Sequence, residues 1–453
     1  MTRTLAEWAN LLGATLHEAD PNRASHHFAL DSREVKEGSI FCAIRGERVD
    51  GHDFCAQALD RGAAACLVER SVDGPHLLVS NLVEALASMA SKIREGFFGP
   101  VIAVTGSAGK TTAKEFISAA MSSSVKVAKT EGNRNTEFSA PLLWAEMDGD
   151  EGAIVAEMSM RGLGQIRHLI SFTRPTLAVI TNIGDSHLEM VGSREGVFRA
   201  KAEILEGLRP EDIAVLPRDD DYFAKLAKAA MCRVLSFGVH PESDMRVIST
   251  RVESAFRTVA TLSVRCGEPF EVEIPAAGAH FALNAGIGLL TAVSCGIELK
   301  DARLGVSRVH LPAMRMEASL HCGITVLFDA YNASPTSYKS ALEAFEQIPV
   351  EGKKWMVAGE MKELGEFERE RHLEIVNLIG DSSMDRVMLF GEAMTSAWNE
   401  SIWSKDERFE VMSSHEQIQT RLHECQPGDG VLLKASRGME LERALPDAWR
   451  NSN

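Results

Sequence analysis

A strand, a loop of small residues and a helix follow one another at residues 101–116, and this segment constrains the fold more than any other. The apolar run at 101–104 is typical of a buried β-strand. The residues after it are Thr105, Gly106, Ser107, Ala108, Gly109, Lys110, Thr111 and Thr112, and the last three begin a helical pattern. A loop of this kind directs backbone N–H groups at a phosphate, and the helix N-terminus adds positive potential there. The segment therefore predicts a phosphate-binding loop at the carboxyl edge of a parallel sheet, with an ordinary glycine-rich turn as the alternative.

Two side chains of this segment suit a nucleoside triphosphate. Lys110 is expected to reach the terminal phosphates, and the hydroxyl of Thr111 is expected to ligate Mg²⁺. The spacing is shorter than the common pattern G-x-x-x-x-G-K-[ST], because Val104 stands where the first glycine of that pattern would lie. Strand, loop, Lys-Thr pair and helix nevertheless come in the order that a phosphate site requires.

Apolar runs alternate with helical patterns along most of the chain, which is typical of parallel sheets with crossover helices. In the middle of the chain these runs lie at 101–104, 153–158, 177–183 and 213–217, and toward the end they lie at 325–331, 353–361, 386–392 and 430–436. Residues 245–275 instead alternate like the short strands of a hairpin appendage. We predict an α/β protein of three domains: an N-terminal module (1–98), a central parallel-sheet nucleotide domain (99–311) and a C-terminal Rossmann-like domain (312–453).

The composition excludes several classes of protein. Acidic residues outnumber basic ones by 64 to 48, and the net charge of −16 argues against a nucleic-acid binder, which needs a basic field. The eight cysteines show no zinc-binding spacing and are expected to be buried thiols in a reducing compartment. No apolar run approaches the roughly 18 residues of a membrane helix, and the N-terminus has the pattern of an amphipathic helix rather than a signal peptide. We therefore expect a cytoplasmic protein, and a monomer.

Two polar residues follow other predicted strands and would lie at the same sheet edge as the loop. Glu157 comes near the end of the run at 153–158, where a carboxylate is well placed to hold Mg²⁺, although an ordinary acidic loop residue explains it equally well. His187 follows the run at 177–183, where a lone histidine is more often structural, and Mg²⁺ prefers oxygen ligands. Both residues remain candidates for the chemistry of the site.

Lys201 occupies an unusual position in the segment EGVFRAKAEILEGL. It shares a predicted helix face with the apolar residues Val197, Leu205 and Leu208. A lysine on such a face must snorkel, pair with an acid, shift its pKa or be modified. From the pattern alone, snorkelling to solvent is the expected outcome.

Other polar residues are candidate ligand contacts. His280 and Asn284 lie one helical turn apart and could meet the edge of a base, or else cap the helix and face solvent. Arg315 and Asp329 are a candidate phosphate clamp and a candidate ribose ligand. In the N-terminal region the polar loops Asp31-Ser32-Arg33, Arg45-Gly46 and Asp50-Gly51-His52 indicate only that an α/β module carries binding loops.

Taken together, the motifs of this chain resemble those of the Mur ligase family, the ATP-dependent amide ligases of bacterial peptidoglycan synthesis. These motifs are TGSAGKTT (105–112), whose short spacing matches the family's own phosphate loop, GNRNTEFSAP (132–141), AEMS (156–159), TNIGDSHLE (181–189) and RAKAEIL (199–205). The strings DAYNASP (329–335), GEMKELGE (359–366) and LLKASRGMELE (432–442) resemble the branch of the family that adds a dipeptide. The resemblance extends over nearly the whole chain.

The resemblance implies an ATP-dependent ligase that joins D-alanyl-D-alanine to UDP-N-acetylmuramoyl-tripeptide through an acyl phosphate. The ATP contacts that it implies are the loop residues 105–112 together with His280, Asn284, Arg315 and Asp329. The substrate contacts that it implies are Ser32, Arg33, Gly46, Asp50, Gly51, His52, Asn135, Tyr331, Asn332, Ser436 and Arg437. The alternatives are a ligase of the same family that adds a single amino acid and a nucleotide-switch protein without ligase activity.

The resemblance also implies two Mg²⁺ ions and a modified lysine. Thr111, Glu157, His187 and Lys201 match metal-binding positions, and the lysine at the position of Lys201 is carbamoylated in the family. A carbamate is an anion that can act on Mg²⁺, which would explain a lysine on an apolar face. Lys110, Lys201 and His187 are the residues expected to take part in catalysis.

Overall fold

Sheets of five, nine and six strands follow one another along the chain in the computed structural model, which describes residues 2–46, 49–184, 188–265 and 267–450. Helices flank each of these sheets. Within this part of the chain, every helix is too short or too polar to cross a membrane. The predicted α/β class is confirmed.

The N-terminal sheet is mostly parallel. Its elements and those around it are β1 (Arg3–Thr4), α1 (Leu5–Leu12), β2 (Thr15–His17), β3 (Ala24–Ser25), β4 (Phe28–Ala29), β5 (Ile40–Cys42), α2 (Cys55–Asp60), β6 (Ala65–Val68), β7 (His76–Leu78) and α3 (Leu82–Glu95). The strand order is β2-β7-β6-β5-β4, and β2 alone among these runs antiparallel to its neighbour. Thr4 and Asn81 begin α1 and α3, because their side chains accept hydrogen bonds from the first free N–H groups of each helix.

The central sheet carries the predicted phosphate loop on its middle strands. Its elements are β8 (Val101–Thr105), α4 (Lys110–Ser122), β9 (Val127–Lys129), α5 (Leu142–Ala145), β10 (Ala153–Glu157), α6 (Gln165–Thr173), β11 (Leu177–Ile180), α7 (Leu188–Val191), α8 (Arg194–Ala202), β12 (Ile213–Pro217), α9 (Phe223–Ala229), β13 (Arg233–Gly238), β14 (Met245–Ser254), β15 (Arg257–Val264), β16 (Phe270–Ile274), α10 (His280–Ser294) and α11 (Leu299–Val306). The strand order is β16-β15-β14-β13-β12-β11-β8-β10-β9. Since β8 lies between β10 and β11, the carboxyl ends of these three parallel strands meet at one place.

The segment at 245–275 is not a separate appendage, as the sequence pattern had suggested. Strand β14 pairs with β13 in parallel, and β15 and β16 then continue the same sheet antiparallel. Their buried side chains, among them Val247, Leu262 and Ile274, belong to the same apolar core as Ile102 and Val104 of β8. The central sheet is therefore mixed, with a parallel half that carries the loop and an antiparallel extension.

The C-terminal sheet is a second parallel sheet with one antiparallel edge. Its elements are β17 (Glu317–His321), β18 (Ile324–Asp329), α12 (Pro335–Gln347), β19 (Lys354–Gly359), α13 (Glu368–Gly380), β20 (Arg386–Phe390), α14 (Glu392–Glu400), β21 (Phe409–Met412), α15 (His415–Leu422), β22 (Gly430–Lys434) and α16 (Asp447–Arg450). The strand order is β17-β18-β22-β19-β20-β21, and only β17 of these strands runs antiparallel. Strands β18, β22 and β19 end side by side.

A continuous apolar cluster joins the central and C-terminal sheets. Helices α4 and α10 pack together through Phe116 and Phe281, whose ring centroids lie 6.1 Å apart. The same cluster includes Tyr338 and Leu342 of α12 and Met356 of β19. This packing turns the carboxyl edges of the two sheets toward a common cavity. The domain boundaries after residues 98 and 311 remain predictions.

Candidate active site

The cavity between the central and C-terminal sheets has a volume of about 610 Å³. The central domain lines it with Ser107, Ala108, Gly109, Lys110, Thr111, Thr112, Asn135, Glu157, His280 and Asn284. The C-terminal domain lines it with Arg315, Asp329, Tyr331, Asn332, Ser436 and Arg437. Residues from distant parts of the sequence that were proposed on separate grounds are therefore brought to one place.

The loop between β8 and α4 needs glycine at two positions. Gly109 precedes α4 with φ +76°, in the left-handed region that glycine adopts without strain. A Cβ on Gly106 would lie 1.8 Å from Oγ1 of Thr181, so the loop can approach β11 only because that atom is absent. Thr181 Oγ1 in turn donates to the Ala108 carbonyl at 2.6 Å. The helix N-terminus and its free N–H groups are thereby held at the cavity.

Asn182 also holds this loop, and sequence reasoning did not single it out. Its Oδ1 accepts hydrogen bonds from the N–H groups of Ser107 and Ala108 at 3.1 and 3.0 Å, and its Nδ2 donates to the Ala108 carbonyl at 3.2 Å. The signal that could have identified Asn182 is its position near the end of the run at 177–183, the same criterion that pointed to Glu157 in the run at 153–158.

Two lysine ammonium groups converge on a single carbonyl oxygen of the loop. Lys110 Nζ and Lys201 Nζ each donate to Gly106 O at 2.9 Å. Burial lowers the pKa of Lys110 and lowers that of Lys201 well below its ordinary value, and in the case of Lys201 the charge of Lys110 adds to the effect. Lys201 is 1% exposed, so the expectation that it snorkels to solvent is wrong. Its helix α8 points the amine inward, to the back of the phosphate loop.

Glu157 is held from two sides and keeps one oxygen free. Its N–H donates to Thr130 Oγ1 at 2.9 Å, and its Oε1 accepts from Asn135 Nδ2 at 2.8 Å. Its Oε2 is buried and has no hydrogen-bond partner among the described residues. An ordinary acidic loop residue would be solvated, and Glu157 is 2% exposed, so that alternative is wrong. Asn135, proposed as a substrate contact, has its amide engaged by this carboxylate.

A buried carboxylate oxygen without a partner is a suitable ligand for a hard cation such as Mg²⁺. Thr111, whose hydroxyl is the other proposed oxygen ligand, lines the same cavity. The residues present therefore fit Mg²⁺. His187 lies outside the described residues, and its proposed role remains a prediction.

His280 and Asn284 form one wall of the cavity. Asn284 is buried and donates through Nδ2 to the His280 carbonyl at 3.0 Å, so the alternative of a solvated asparagine is wrong. The helix cap is Ala279, and the imidazole of His280 packs against the Phe281 ring, with 4.1 Å between ring centroids and 40° between the ring planes. Burial lowers the pKa of His280 to about 4, which keeps the ring neutral. A neutral ring beside an amide is compatible with a nucleobase, and this role remains a prediction.

Asp329 at the end of β18 has a partner that the sequence did not reveal. Lys434, the last residue of β22, is fully buried and places Nζ 2.9 Å from Asp329 Oδ2. The Met316 N–H donates to the other carboxylate oxygen at 3.2 Å. Because β18 and β22 are neighbours in the sheet, both strand ends arrive at the same point. The Arg315 guanidinium lies 4.1 Å from the centroid of the Tyr331 ring, and both residues line the cavity.

The remaining C-terminal candidates line the far side of the cavity. Ser436 Oγ accepts from the Lys362 N–H at 3.0 Å, and the Ser436 N–H donates to the Glu360 carbonyl at 3.0 Å. Arg437 is half-exposed and pairs with Glu442 at 2.6 Å. Asn332 is exposed, and its carbonyl accepts from Lys434 at 2.5 Å. Both side chains line the cavity, with Arg437 held by Glu442 and Asn332 Oδ1 accepting from the Ala333 N–H at 2.9 Å.

The N-terminal loops are not part of this cavity: among the described residues that line it, none comes from Ser32, Arg33 or the 46–52 loop. Ser32 Oγ donates to Gln57 at 2.9 Å, and the largely exposed Arg33 pairs with Asp31. Both ring nitrogens of His52 are engaged: Nδ1 bonds Asp50 in the same loop at 2.6 Å, and Nε2 accepts from the N–H of Glu69, which follows β6. The backbone N–H of His52 and then its ring lower the pKa of Asp50 to about 2.

Gly46 and Gly51 complete this loop. The Gly46 N–H donates to the Val49 carbonyl, and a Cβ on Gly51 would lie 2.5 Å from the Ile44 carbonyl oxygen. The 46–52 segment is therefore a tight, internally bonded turn in the parts that the structure describes. Its proposed contact with the nucleotide end of a substrate remains a prediction.

Comparison with known proteins agrees with this arrangement along the whole chain. Residues 104–292 match the Mur ligase middle domain, residues 314–437 the Mur ligase glutamate ligase domain, and residues 25–129 the Mur ligase family catalytic domain. The chain is 34% identical to the UDP-N-acetylmuramoyl-tripeptide–D-alanyl-D-alanine ligase of Bacillus subtilis (strain 168), over 98% of each sequence. It superposes on MurF from Acinetobacter baumannii with a TM-score of 0.87 at 27% identity, over 98% of each chain. For MurF ligase from Thermotoga maritima in complex with ADP, the TM-score is 0.80 at 32% identity, over 93% of this chain and 96% of that one.

Proposed function

The chain belongs to the Mur ligase family, and we propose that it joins D-alanyl-D-alanine to UDP-N-acetylmuramoyl-tripeptide with the hydrolysis of ATP to ADP and phosphate. The observation that carries this proposal is the full-length similarity to ligases of that activity, at 27–34% identity. The cavity supports it, because a phosphate loop on one sheet faces a second set of polar residues on the other. The proposed reaction belongs to the synthesis of the peptidoglycan precursor. The cytoplasmic location and the monomeric state of the protein remain predictions.

The reaction proceeds in two steps that conserve atoms and charge. An oxygen of the C-terminal carboxylate of the tripeptide attacks the γ-phosphorus, the bond to the β-phosphate oxygen breaks, and ADP leaves. The amine of D-alanyl-D-alanine then attacks the acyl phosphate, the carbon–oxygen bond breaks, and phosphate leaves with the proton released from the amine. Lys110 and Arg315 supply positive charge to the cavity where negative charge moves between oxygens.

Residues on the two walls of the cavity contact different parts of the substrates. The loop at 105–112 binds phosphates through its N–H groups, while His280, Asn284 and Asp329 contact the nucleoside. Tyr331, Asn332, Ser436 and Arg437 contact the acceptor from the C-terminal domain, which must enclose the acyl phosphate because water would hydrolyse it. The N-terminal loops containing Ser32, Arg33, Gly46, Asp50, Gly51 and His52 contact the UDP end of the other substrate.

Thr111 and Glu157 would hold Mg²⁺, with His187 as a further candidate ligand, and the ion would neutralise negative charge that develops in the cavity. The unpartnered oxygen of Glu157 is the observation in its favour. Two ions are expected, since two polyanionic substrates must meet in one cavity.

Lys201 is carbamoylated in the active enzyme. Carbamate formation needs a neutral amine, and burial together with Lys110 lowers the pKa of Lys201 well below its ordinary value. Mass analysis of protein kept in bicarbonate should therefore show a carbon dioxide adduct on Lys201. Activity lost on K201A substitution should return in part when a short carboxylic acid is added. Protein without the adduct, together with activity that is indifferent to bicarbonate, would contradict the modification.

The decisive experiment measures phosphate release from ATP with UDP-N-acetylmuramoyl-tripeptide, with and without D-alanyl-D-alanine. Release that requires both substrates, and a product heavier by the dipeptide, is the expected result. K110A should fold normally and release no phosphate, which serves as the control for contaminating ATPases. Release that is indifferent to the dipeptide would instead favour a nucleotide switch, and turnover with a single amino acid would favour another ligase of the family.

A further inference from the structure

Lys114 is a buried lysine that the chemistry above does not use. It lies on α4 one turn after Lys110, and it is 1% exposed. Burying a lysine ammonium costs several kcal/mol unless it is paired and hydrogen-bonded, on the order of the penalties known for buried charges. The buried position of Lys114, on the helix that begins at the phosphate loop, therefore needs a physical explanation.

The ammonium of Lys114 connects the phosphate-loop helix to the segment after β9. Its Nζ donates to the Thr130 carbonyl at 2.5 Å and lies 3.1 Å from Glu115 Oε1. The other oxygen of Glu115 is paired with Lys129 at 2.5 Å. Helix α4 and the end of β9 are thus joined by an ion network that is mostly buried.

Thr130 continues the connection to Glu157. The Thr130 N–H donates to the Val155 carbonyl at 3.0 Å, and its Oγ1 accepts from the Glu157 N–H at 2.9 Å. The same segment supplies Asn135, whose amide fixes Glu157 Oε1 and leaves Oε2 free. A continuous chain of hydrogen bonds therefore connects Lys114 through Thr130 to Glu157 and its free oxygen.

We propose that Lys114 is a positioning residue, which sets the distance between the Glu157 carboxylate and the phosphate loop through Thr130. The inference rests on the proposed role of Glu157 as a Mg²⁺ ligand. Groups that orient a metal ligand commonly change metal affinity by about 10- to 100-fold when they are removed. A role confined to stability would instead affect nucleotide binding equally with and without metal.

The test uses K114M, which removes the charge and the donor but keeps an unbranched side chain of similar length. Glu115 keeps Lys129 as its partner, so no buried acid is left without a counter-charge. ADP affinity is measured by calorimetry in EDTA and over a series of Mg²⁺ concentrations, and Mn²⁺ binding to the ADP complex is measured by electron paramagnetic resonance. We expect the half-saturating metal concentration to rise roughly tenfold, with ADP affinity in EDTA unchanged.

Two further variants keep the proposal testable if K114M fails to fold. T130V removes the hydroxyl that accepts from Glu157 and should reproduce the loss of metal affinity, whereas T130S keeps the hydroxyl and should behave like wild type. In the double variant K114M/T130V the losses should not add, because both changes break one connection. K92M is the control, since Lys92 likewise donates from one helix to backbone carbonyls of another segment, but it joins α3 to α1.

E157Q separates the failure of this inference from the failure of the proposed metal site. If E157Q weakens metal binding while K114M and T130V do not, the positioning role is refuted and the metal ligand stands. If E157Q leaves metal binding unchanged, both proposals are overturned. A loss of ADP affinity in EDTA equal to that in Mg²⁺ would likewise refute the positioning role of Lys114.

Discussion

Replacing Gly106 with alanine tests whether close contact between the phosphate loop and β11 is needed to bind ATP. The added Cβ would lie 1.8 Å from Thr181 Oγ1, 3.0 Å from Thr181 Cβ and 3.1 Å from its backbone nitrogen. A contact at 1.8 Å does not occur, contacts at 3.0 and 3.1 Å are unusually tight, and the backbone nitrogen cannot rotate away, so the loop must move. The movement would also disturb the hydrogen bond from Thr181 Oγ1 to the Ala108 carbonyl.

The expected loss of ATP affinity follows from the free-energy cost of overpacking a protein interior. Forcing one methyl group into a packed site costs about 1–3 kcal/mol. If the loop relieves the clash by leaving its phosphate-binding geometry, the same free energy appears as a loss of ATP affinity of roughly 5- to 150-fold. Titration calorimetry with ATP, alongside thermal unfolding to separate binding from stability, measures this loss.

A double-mutant cycle with Thr181 makes the reasoning refutable. T181A removes the atom nearest to the new methyl group but leaves its Cβ, so G106A/T181A should bind ATP better than the sum of the two single losses predicts. G162A is the control, because in the described part of the chain no heavy atom beyond the adjacent residues lies within 4 Å of a Cβ placed at Gly162. Wild-type affinity in G106A, or strictly additive losses in the double variant, would show that contact with Thr181 does not hold the loop.

Two further predictions concern titratable residues of the cavity. Burial lowers the pKa of His280 to about 4, so between pH 6.5 and pH 4 the imidazole is protonated in the unfolded chain and neutral in the folded chain. The free energy of unfolding should therefore fall as the pH drops from about 6.5 to about 4. The urea midpoint of H280Q should depend less on pH over that range, and an identical dependence would contradict this. K434M should destabilise the fold by up to about 3–5 kcal/mol in urea unfolding, since it leaves the Asp329 carboxylate without its buried partner. The double variant K434M/D329N should recover part of that loss. No recovery would show that the unpaired Asp329 carboxylate does not cause the destabilisation by K434M.

Local patterns in the sequence were sufficient to predict the strands of the sheets and the phosphate loop. Apolar runs at 101–104 and 213–217 are strands, and the helix predicted at the loop begins at Lys110. These elements depend on interactions between near neighbours in the chain, namely side-chain alternation, helix periodicity and the conformational freedom of glycine. The prediction of a hairpin appendage at 245–275 was wrong, because a strand pattern does not specify which neighbouring strand it pairs with, and β14 pairs with β13 of the central sheet.

The resemblance of motifs to a known family identified most of the candidate site, but it could not assign partners to the residues. Asn135 was proposed as a substrate contact, and the structure shows that its amide orients Glu157. Lys434 and Lys114 were not recognised at all, because a lysine at a strand end or on a helix reads as an ordinary solvated residue. Their roles depend on atoms far away in sequence, such as those of Asp329 and Thr130.

By itself, the sequence determined the class of the fold, the order of its sheets and the presence of a phosphate loop, because short-range periodicity and glycine geometry encode them. Only the tertiary structure decided that Lys201 is buried against Gly106, that Glu157 keeps one oxygen free, and that Asp329 and Lys434 form a pair. Burial and pairing set the charge and pKa of these groups, and both arise from contacts between strands and helices that sequence spacing does not record.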